Sequence, residues 1–514
     1  MALLNVELSQ GKAEGQYAGN NRISVFKGIP YAKPPVGELR WRPPQPHSGW
    51  NGTLRALEYA KIPVQPERPK GSMYQKLFFP VSPPQSEDCL YLNVWTPAEG
   101  MDEKLPVAVW IYGGAYITGY ANKIEFDGEA FAKRGCVFVS FNYRLGLFGF
   151  LAHPELSSET RKQVSGNYGL LDQIAALRWV QENIHEFGGD PDNVTILGQS
   201  AGAMSCMNLA CSPLADGLFQ RAVCESCGGL NVEFYRGTLT LAEAEKTGRE
   251  LLAHMDIPDI ETARTVGAQE LIRRMNQGSG FQGMMLQPNV DGIVLPLSSV
   301  DAIMQDKHKK IGYLIGSTAN EGYGFNEGKI YDSQEYRKKV QRYFGEDAQR
   351  FLEQVGYRPD GTVMPSDLFG DHMLAAGIAW NELELRRGGE TAYQYYFTKT
   401  LPAEASGAFH SAEHAYIFQT LNRFSLPYQG SDYELSNLMC DYWCNFIKSG
   451  NPNGPGLPQW NVYGPGDGKI MEFGSHVGMT GLPKLPGAAF AAEYMLKLAE
   501  GCRTRQETEG RSRE

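Results

Sequence analysis

Short runs of apolar residues recur along the chain and are separated by longer stretches of mixed character. The runs are 89–95, 107–111, 137–141, 194–197, 311–316 and 391–397. Consecutive apolar positions are typical of strands buried on both faces of a sheet. Between two of these runs, residues 167–186 have the spacing of an amphipathic helix. Strands that alternate with helices predict an α/β fold with a mostly parallel central sheet flanked by helices.

The rest of the chain is less regular. Residues around 232–283 and 331–388 are charged and rich in helix-forming residues, which predicts helical insertions that cap the sheet. No stretch has the composition of a linker, so we predict one domain over residues 1–502. The charged end, 503–514, is predicted to be a disordered tail.

Composition narrows the range of partners. The net charge is −10 over 514 residues and no basic run is present, which argues against nucleic acid as a partner. The sequence contains no run of about 18 apolar residues, so no membrane span is predicted. Its first residues lack the pattern of a secretion signal. The nine cysteines are odd in number and irregularly spaced, as expected of free thiols in a reducing compartment. We therefore expect a cytoplasmic protein that acts on small organic molecules, with its oligomeric state left open.

The sequence Gly198-Gln-Ser-Ala-Gly202 directly follows the apolar run 194–197 and is followed by small residues that favour a helix. This pattern predicts a strand, a sharp turn and a helix. A turn of this kind forces the serine into a strained backbone conformation, and side chains at the two glycines would collide with neighbouring backbone. Ser200 would then be exposed next to helical N–H groups that can stabilise an oxyanion.

Three further features complete a possible nucleophilic site. The run 107–111 leads into Gly113 and Gly114, where amides could face a ligand without obstruction by side chains. Glu321 follows the run 311–316, and His410 follows the run 391–397. A serine needs a neutral imidazole to accept its proton and a carboxylate to orient that imidazole. From the pattern alone, any of the nine histidines could be the base.

Several longer stretches carry a resemblance to a known family. They are residues 26–32, 86–95, 110–114, 142–144, 166–172, 187–191, 198–202, 291–292, 320–322 and 410–413. Together they resemble the type-B carboxylesterases, which include cholinesterases and bacterial p-nitrobenzyl-type esterases. The resemblance covers nearly the whole chain and implies an α/β-hydrolase fold.

The resemblance also assigns roles. It implies a serine esterase that needs no cofactor or metal, with Ser200 as nucleophile, Glu321 as acid and His410 as general acid and base. The remaining residues that it assigns are the oxyanion-hole amides of Gly114, Ala115 and Ala201, and the supporting residues Gln199 and Ser226. The acyl and alcohol groups of the substrate stay open.

Three positions depart from the family pattern. Ala115 stands where the family has a second glycine, which keeps the N–H group but adds a methyl that could narrow the pocket. Residues 62–65 lack the cysteine that commonly occurs there, which leaves Cys89 without its usual partner. Gln199 replaces the glutamate of cholinesterases, so a cationic substrate loses an anionic contact.

Other interpretations compete with the esterase. Residues 410–414 spell H-x-x-E-H, a zinc-peptidase pattern, with His410 and His414 as ligands. Residues 278–283 match G-x-G-x-x-G but lack the strand and helix of a dinucleotide site, so a flexible loop is the better interpretation. Residues 224–227 match C-x-x-C, for which core packing is favoured. A non-catalytic adhesion protein of the same fold is the remaining alternative.

Overall fold

The computed structural model describes two compact units. Its described residues are 1–67, 71, 73–232, 238–277, 286–322, 333–358, 367–402, 407–465 and 468–511, with backbone alone at 73–74 and 502–511. Unit 1 comprises Met1–Ala222, Thr238–Ser298 and Ile447–Asn451, and unit 2 comprises Val223–Gly237, Ser299–Phe446 and Pro452–Glu514.

Unit 1 is built on a sheet whose central strands are buried. Its strands are β1 Asn5–Leu8, β2 Gly11–Glu14, β3 Gln16–Ala18, β4 Asn20–Pro30, β5 Thr53–Arg55, β6 Ile62–Pro63, β7 Gln85–Ser86, β8 Tyr91–Thr96, β9 Leu105–Ile111, β10 Val137–Phe141 and β11 Gly189–Gln199. The main sheet has the order β3-β4-β8-β10-β9-β11. Neighbours from β3 to β10 are antiparallel, whereas β9 is parallel to both β10 and β11. Gly198 pairs with Ile111, so the carboxyl ends of β9 and β11 meet at one edge.

Helices cover this sheet. Those of unit 1 are Met73–Phe78, Glu129–Ala132, Gly146–Phe150, Pro154–Ser158, Tyr168–Asn183, Ala201–Cys211, Leu241–His254, Ile260–Thr265 and Ala268–Met275. The helix predicted over 167–186 is confirmed as Tyr168–Asn183 with a 3-10 turn at Ile184–Phe187. The last three helices of the unit lie within the predicted insertion 232–283, and together with Trp41 and Tyr168 they form a separate apolar cluster.

Unit 2 has the second set of strands. They are β12 Arg221–Glu225, which ends in this unit, β13 Gly312–Thr318, β14 Tyr393–Phe397, β15 Lys469–Phe473 and β16 Val477–Gly481. They are ordered β12 to β16, with β13, β14 and β15 parallel and β16 antiparallel. The helices that lie in or begin in this unit are Ser299–Met304, Ser333–Phe344, Ala348–Gln354, Leu368–Arg387, His414–Ile417, Gly430–Ser449 and Pro486–Arg511.

The apolar runs are confirmed as strands, with small differences at their ends. The strand predicted from 194–197 is longer, because β11 begins at Gly189 with a register irregularity. The single domain, its caps and the disordered tail stay predictions; backbone is helical to Arg511, and residues 512–514 lie outside the described ones. Within the described part of the chain, no helix combines the length and apolar character needed to cross a bilayer.

Candidate active site

Ser200 lies at a sharp turn between β11 and the helix Ala201–Cys211. Its backbone has φ 57° and ψ −125°, a conformation that residues with a side chain rarely adopt. Such strain persists only where the surrounding structure enforces it. Here a buried strand enters the turn and a buried helix leaves it, so the partly exposed serine is held at the edge of the sheet.

Two glycines make this turn possible. A Cβ on Gly198 would overlap the backbone of Gly202, and a Cβ on Gly202 would overlap the carbonyl oxygen of Ile111 in β9. The helix therefore starts directly against β9, and only residues without a side chain fit at both points. The steric reason inferred for the G-x-S-x-G pattern is confirmed.

The glycine-rich segment after β9 lies next to Ser200. A Cβ on Gly113 would be 2.9 Å from the Ser200 Cβ and would overlap the Gln199 carbonyl oxygen. Among the residues that the structure describes, the N–H groups of Gly114, Ala115 and Ala201 have no acceptor in the protein. Unpaired donors close to a serine are what an oxyanion would need.

This segment forms a tight turn with several residues in the left-handed region. The φ angles are 123° at Gly114, 56° at Ala115 and 61° at Tyr116. The Gly114 carbonyl accepts the N–H groups of Ile117 and Thr118, both at 3.0 Å. In a trans peptide the carbonyl and the next N–H point in opposite directions, so these bonds direct the Ala115 N–H out of the turn. The Ala115 methyl is exposed.

Tyr116 ties the turn to the helix that follows Ser200. Its hydroxyl accepts hydrogen bonds from Ser205 Oγ and Asn208 Nδ2, each at 3.4 Å. Its carbonyl accepts the Gly146 N–H at 2.7 Å. The side chain is 1% exposed, so the contact is shielded from water. The turn and the helix are thus fixed to each other within unit 1.

Unit 2 brings Glu321 and His410 together. Glu321 Oε2 is 2.5 Å from His410 Nδ1, and Glu321 Oε1 accepts the Thr318 N–H at 2.8 Å. The carboxyl group is fully buried and the imidazole is 3% exposed. A carboxylate at Nδ1 keeps the proton on that nitrogen and leaves Nε2 as the acceptor.

Asn320 joins the two loops that carry this pair. Its N–H donates to the Ala408 carbonyl at 2.9 Å, and its Oδ1 accepts the Ala408 N–H at 3.0 Å. Asn320 and Phe409 also form a parallel bridge. A Cβ on Gly407, which has φ 64°, would overlap Asn320 Oδ1. Asn320, the residue before Glu321, therefore fixes the backbone immediately before His410.

Two more buried glutamates lie in the same unit. Ser226 Oγ and the Tyr395 hydroxyl donate to Glu413 Oε1 at 3.4 and 3.5 Å, and Trp443 Nε1 donates to Glu225 Oε1 at 2.8 Å. Burial raises the pKa of Glu413 well above its ordinary value, and the nearby carboxylates raise it further. Burial also raises the pKa of Glu225 to about 8. Both carboxyls therefore favour the neutral form more than an exposed glutamate does.

His410 and His414 do not share a helix, because the short helix His414–Ile417 begins only at the second histidine and His410 is bonded to Glu321. This removes the geometric basis of the zinc-peptidase alternative. Cys224, Cys227 and Cys89 are buried, and none of them forms a disulfide with another described residue. The G-x-G-x-x-G segment lies outside the described residues.

Sequence comparison gives a consistent result. Residues 3–485 match the family described as the Carboxylesterase family. The chain is 37% identical to fumonisin B1 esterase of Sphingopyxis macrogoltabida over 473 residues, covering 89% of this chain and 84% of that protein. It is 34% identical to para-nitrobenzyl esterase of Bacillus subtilis over 480 residues, covering 89% of this chain and 92% of that protein.

Structural comparison agrees. A solved PNB esterase superposes with a TM-score of 0.80 at 30% identity, covering 96% of this chain and 99% of that chain. A Geobacillus stearothermophilus carboxylesterase superposes with a TM-score of 0.77 at 32% identity, covering 95% of this chain and all of that one. These neighbours have the α/β-hydrolase fold, which confirms the predicted fold class.

Proposed function

We propose that this chain, which belongs to the carboxylesterase family and is therefore a carboxylic-ester hydrolase, works through an acyl-enzyme on Ser200. The observation that carries the proposal is the strained backbone of Ser200 beside three unpaired N–H groups. A serine held in this way is preorganised for attack on a carbonyl carbon.

The first half of the reaction is acylation. Ser200 Oγ attacks the ester carbonyl carbon while His410 Nε2 takes the hydroxyl proton. The carbonyl oxygen becomes an oxyanion that accepts hydrogen bonds from the amides of Gly114, Ala115 and Ala201. When the bond to the alkoxy oxygen breaks, His410 returns the proton to it, so that the alcohol leaves neutral.

Deacylation repeats these steps with water. His410 removes a proton from a water molecule that attacks the acyl carbon, and the carboxylic acid leaves as Ser200 Oγ regains the proton. Glu321 stabilises the imidazolium formed in both halves. The buried Ser226 and Glu413 support the loop of His410, and the neutral Gln199 amide adds no charge beside Ser200.

Pre-steady-state kinetics test this scheme. With p-nitrophenyl acetate we expect a burst of p-nitrophenol equal to one equivalent of chain, provided that deacylation is the slower half. Ser200→Ala should lose the burst and at least about 10⁴-fold in kcat, because the catalytic group acts as a unit. His410→Ala should be about as severe, and His414→Ala mild. An unchanged burst in Ser200→Ala would contradict the proposal.

The substrate proposal is a small organic ester. The relatives are named for fumonisin B1, for para-nitrobenzyl esters and, at 33% identity, for phenmedipham. A panel of fumonisin B1, phenmedipham, a para-nitrobenzyl ester and p-nitrophenyl esters with acyl chains of two to twelve carbons should be compared as ratios of kcat/KM. The cytoplasmic location stays a prediction from the sequence.

A further inference from the structure

The side chain of Gln65 makes a paired contact with the backbone of Gly119. Its Oε1 accepts the Gly119 N–H at 2.9 Å, and its Nε2 donates to the Gly119 carbonyl at 3.0 Å. The second Nε2 hydrogen reaches the Pro63 carbonyl at 3.0 Å. Gln65 is 6% exposed, so these bonds are shielded from water. Both N–H donors and the carbonyl oxygen of the amide are therefore bonded, which fixes the orientation of the side chain.

Gly119 ends the turn that carries the proposed oxyanion-hole amides. It has φ 127°, and a Cβ there would be 2.5 Å from the carbonyl oxygen of Gly113. Gly113 in turn lies against Ser200. The residue just before Gly119, Thr118, donates its N–H to the Gly114 carbonyl and so helps to set the direction of the Ala115 N–H. A displacement of Gly119 would therefore move the amides at the other end of the same turn.

We propose that Gln65 is a positioning residue for the oxyanion hole. It does not touch the reacting atoms, but it holds the end of the 113–119 turn so that the Gly114 and Ala115 amides keep their direction. The inference rests on the proposed function, because it needs those amides to bind the oxyanion. The backbone of Gln65 is itself held, since its N–H donates to Gln85 Oε1 at 3.0 Å.

Gln65→Met tests the contact, because methionine has nearly the same length but cannot donate to or accept from Gly119. Loss of one oxyanion donor costs about 10²- to 10³-fold in other serine hydrolases, and misdirection of donors should cost less. We expect kcat to fall about 10- to 100-fold with KM changed by less than about 3-fold. The Ki of a trifluoromethyl ketone, which forms an oxyanion adduct on the serine, should rise by a factor similar to the fall in kcat.

Gln181→Met is the matched control. Gln181 Nε2 also donates to two backbone carbonyls, those of Pro191 and Leu218, at 2.8 and 3.1 Å. It should lose comparable thermal stability while kcat and the ketone Ki stay within about 2-fold of wild type. If Gln65 had only a structural role, Gln65→Met and Gln181→Met would show similar changes in kcat and in the ketone Ki.

Gln65→Glu gives a second measurement that does not depend on how well Gln65→Met folds. A protonated carboxyl can accept from the Gly119 N–H and donate to its carbonyl, whereas a carboxylate repels that carbonyl. The ratio of kcat in Gln65→Glu to kcat in wild type should therefore rise as the pH falls from 8 to 5.5. A flat ratio would overturn the inference, and so would wild-type kcat and Ki in a folded Gln65→Met. If Ser200→Ala remained active, the proposed function itself would fail.

Discussion

Glu321→Gln should prevent His410 Nε2 from accepting the Ser200 proton. The Thr318 N–H donates to Glu321 Oε1 at 2.8 Å, so a glutamine would keep its carbonyl oxygen at this position. Its NH₂ group would then face His410 Nδ1, which the carboxylate oxygen contacts at 2.5 Å. An NH₂ group donates, so it would turn Nδ1 into the acceptor and place the imidazole proton on Nε2. The nitrogen that must accept the serine proton would be blocked.

The size of the effect follows from two losses that act together. The imidazole holds the wrong tautomer, and the imidazolium that forms during the reaction loses a fully buried negative partner. In a serine protease the corresponding acid-to-amide change lowers kcat by about 10⁴-fold, and we expect a similar loss here. That factor corresponds to about 5.4 kcal/mol of transition-state stabilisation.

The assay is kcat with p-nitrophenyl acetate, measured alongside thermal unfolding. Glu225→Gln is the matched control, because Glu225 is equally buried in the same unit but does not contact His410. It should keep kcat within a few-fold. Glu321→Gln with more than a tenth of wild-type kcat and an unchanged fold would refute the tautomer argument.

Three more predictions concern the same structure. Asn320→Ala removes the acceptor of the Ala408 N–H, so thermal unfolding should show a loss of about 1 kcal/mol in the stability of the fold. Because the His410 loop would then be misaligned, steady-state rates should show kcat lowered by roughly 10-fold. The raised pKa of Glu225 means that its neutral form stabilises the fold at low pH and that this contribution is lost as the pH rises from the ordinary glutamate pKa to about 8. Melting temperatures from pH 5 to 8 should therefore fall less steeply in Glu225→Gln; equal slopes would contradict the assignment. Acetylcholine should be hydrolysed no more than a few-fold better than 3,3-dimethylbutyl acetate, because the Gln199 side chain beside Ser200 is neutral; a preference above about 100-fold in kcat/KM would contradict this.

The turn at Ser200 could be predicted from sequence because its constraints are local. An apolar strand, two glycines and a run of small residues lie within a few positions of each other, and the steric conflicts at Gly198 and Gly202 follow directly from the turn. The strands from the longer apolar runs were predictable for the same reason. Strands β15 and β16 were not, because polar residues or glycines interrupt their apolar positions.

The pairing of Glu321 with His410 could not be predicted from local pattern. The two residues are 89 positions apart, and nine histidines were available. The resemblance to a known family singled out this pair. Asn320, Tyr116 and Gln65 were missed because each binds a backbone group or a distant hydroxyl, which leaves no pattern in the residues around it. The only sequence signal was their position: Asn320 precedes Glu321, and Gln65 belongs to the stretch 62–65 that lacks the expected cysteine.

Covalent labelling tests the central claim most directly. A p-nitrophenyl phosphonate should inactivate the enzyme with release of one p-nitrophenol per chain, and peptide mass analysis should find the phosphonyl group on Ser200 alone. Gln181→Met should label at the wild-type rate, and Ser200→Ala should not label. Inactivation with the phosphonyl group on another residue, or full activity after stoichiometric labelling of Ser200, would contradict the account.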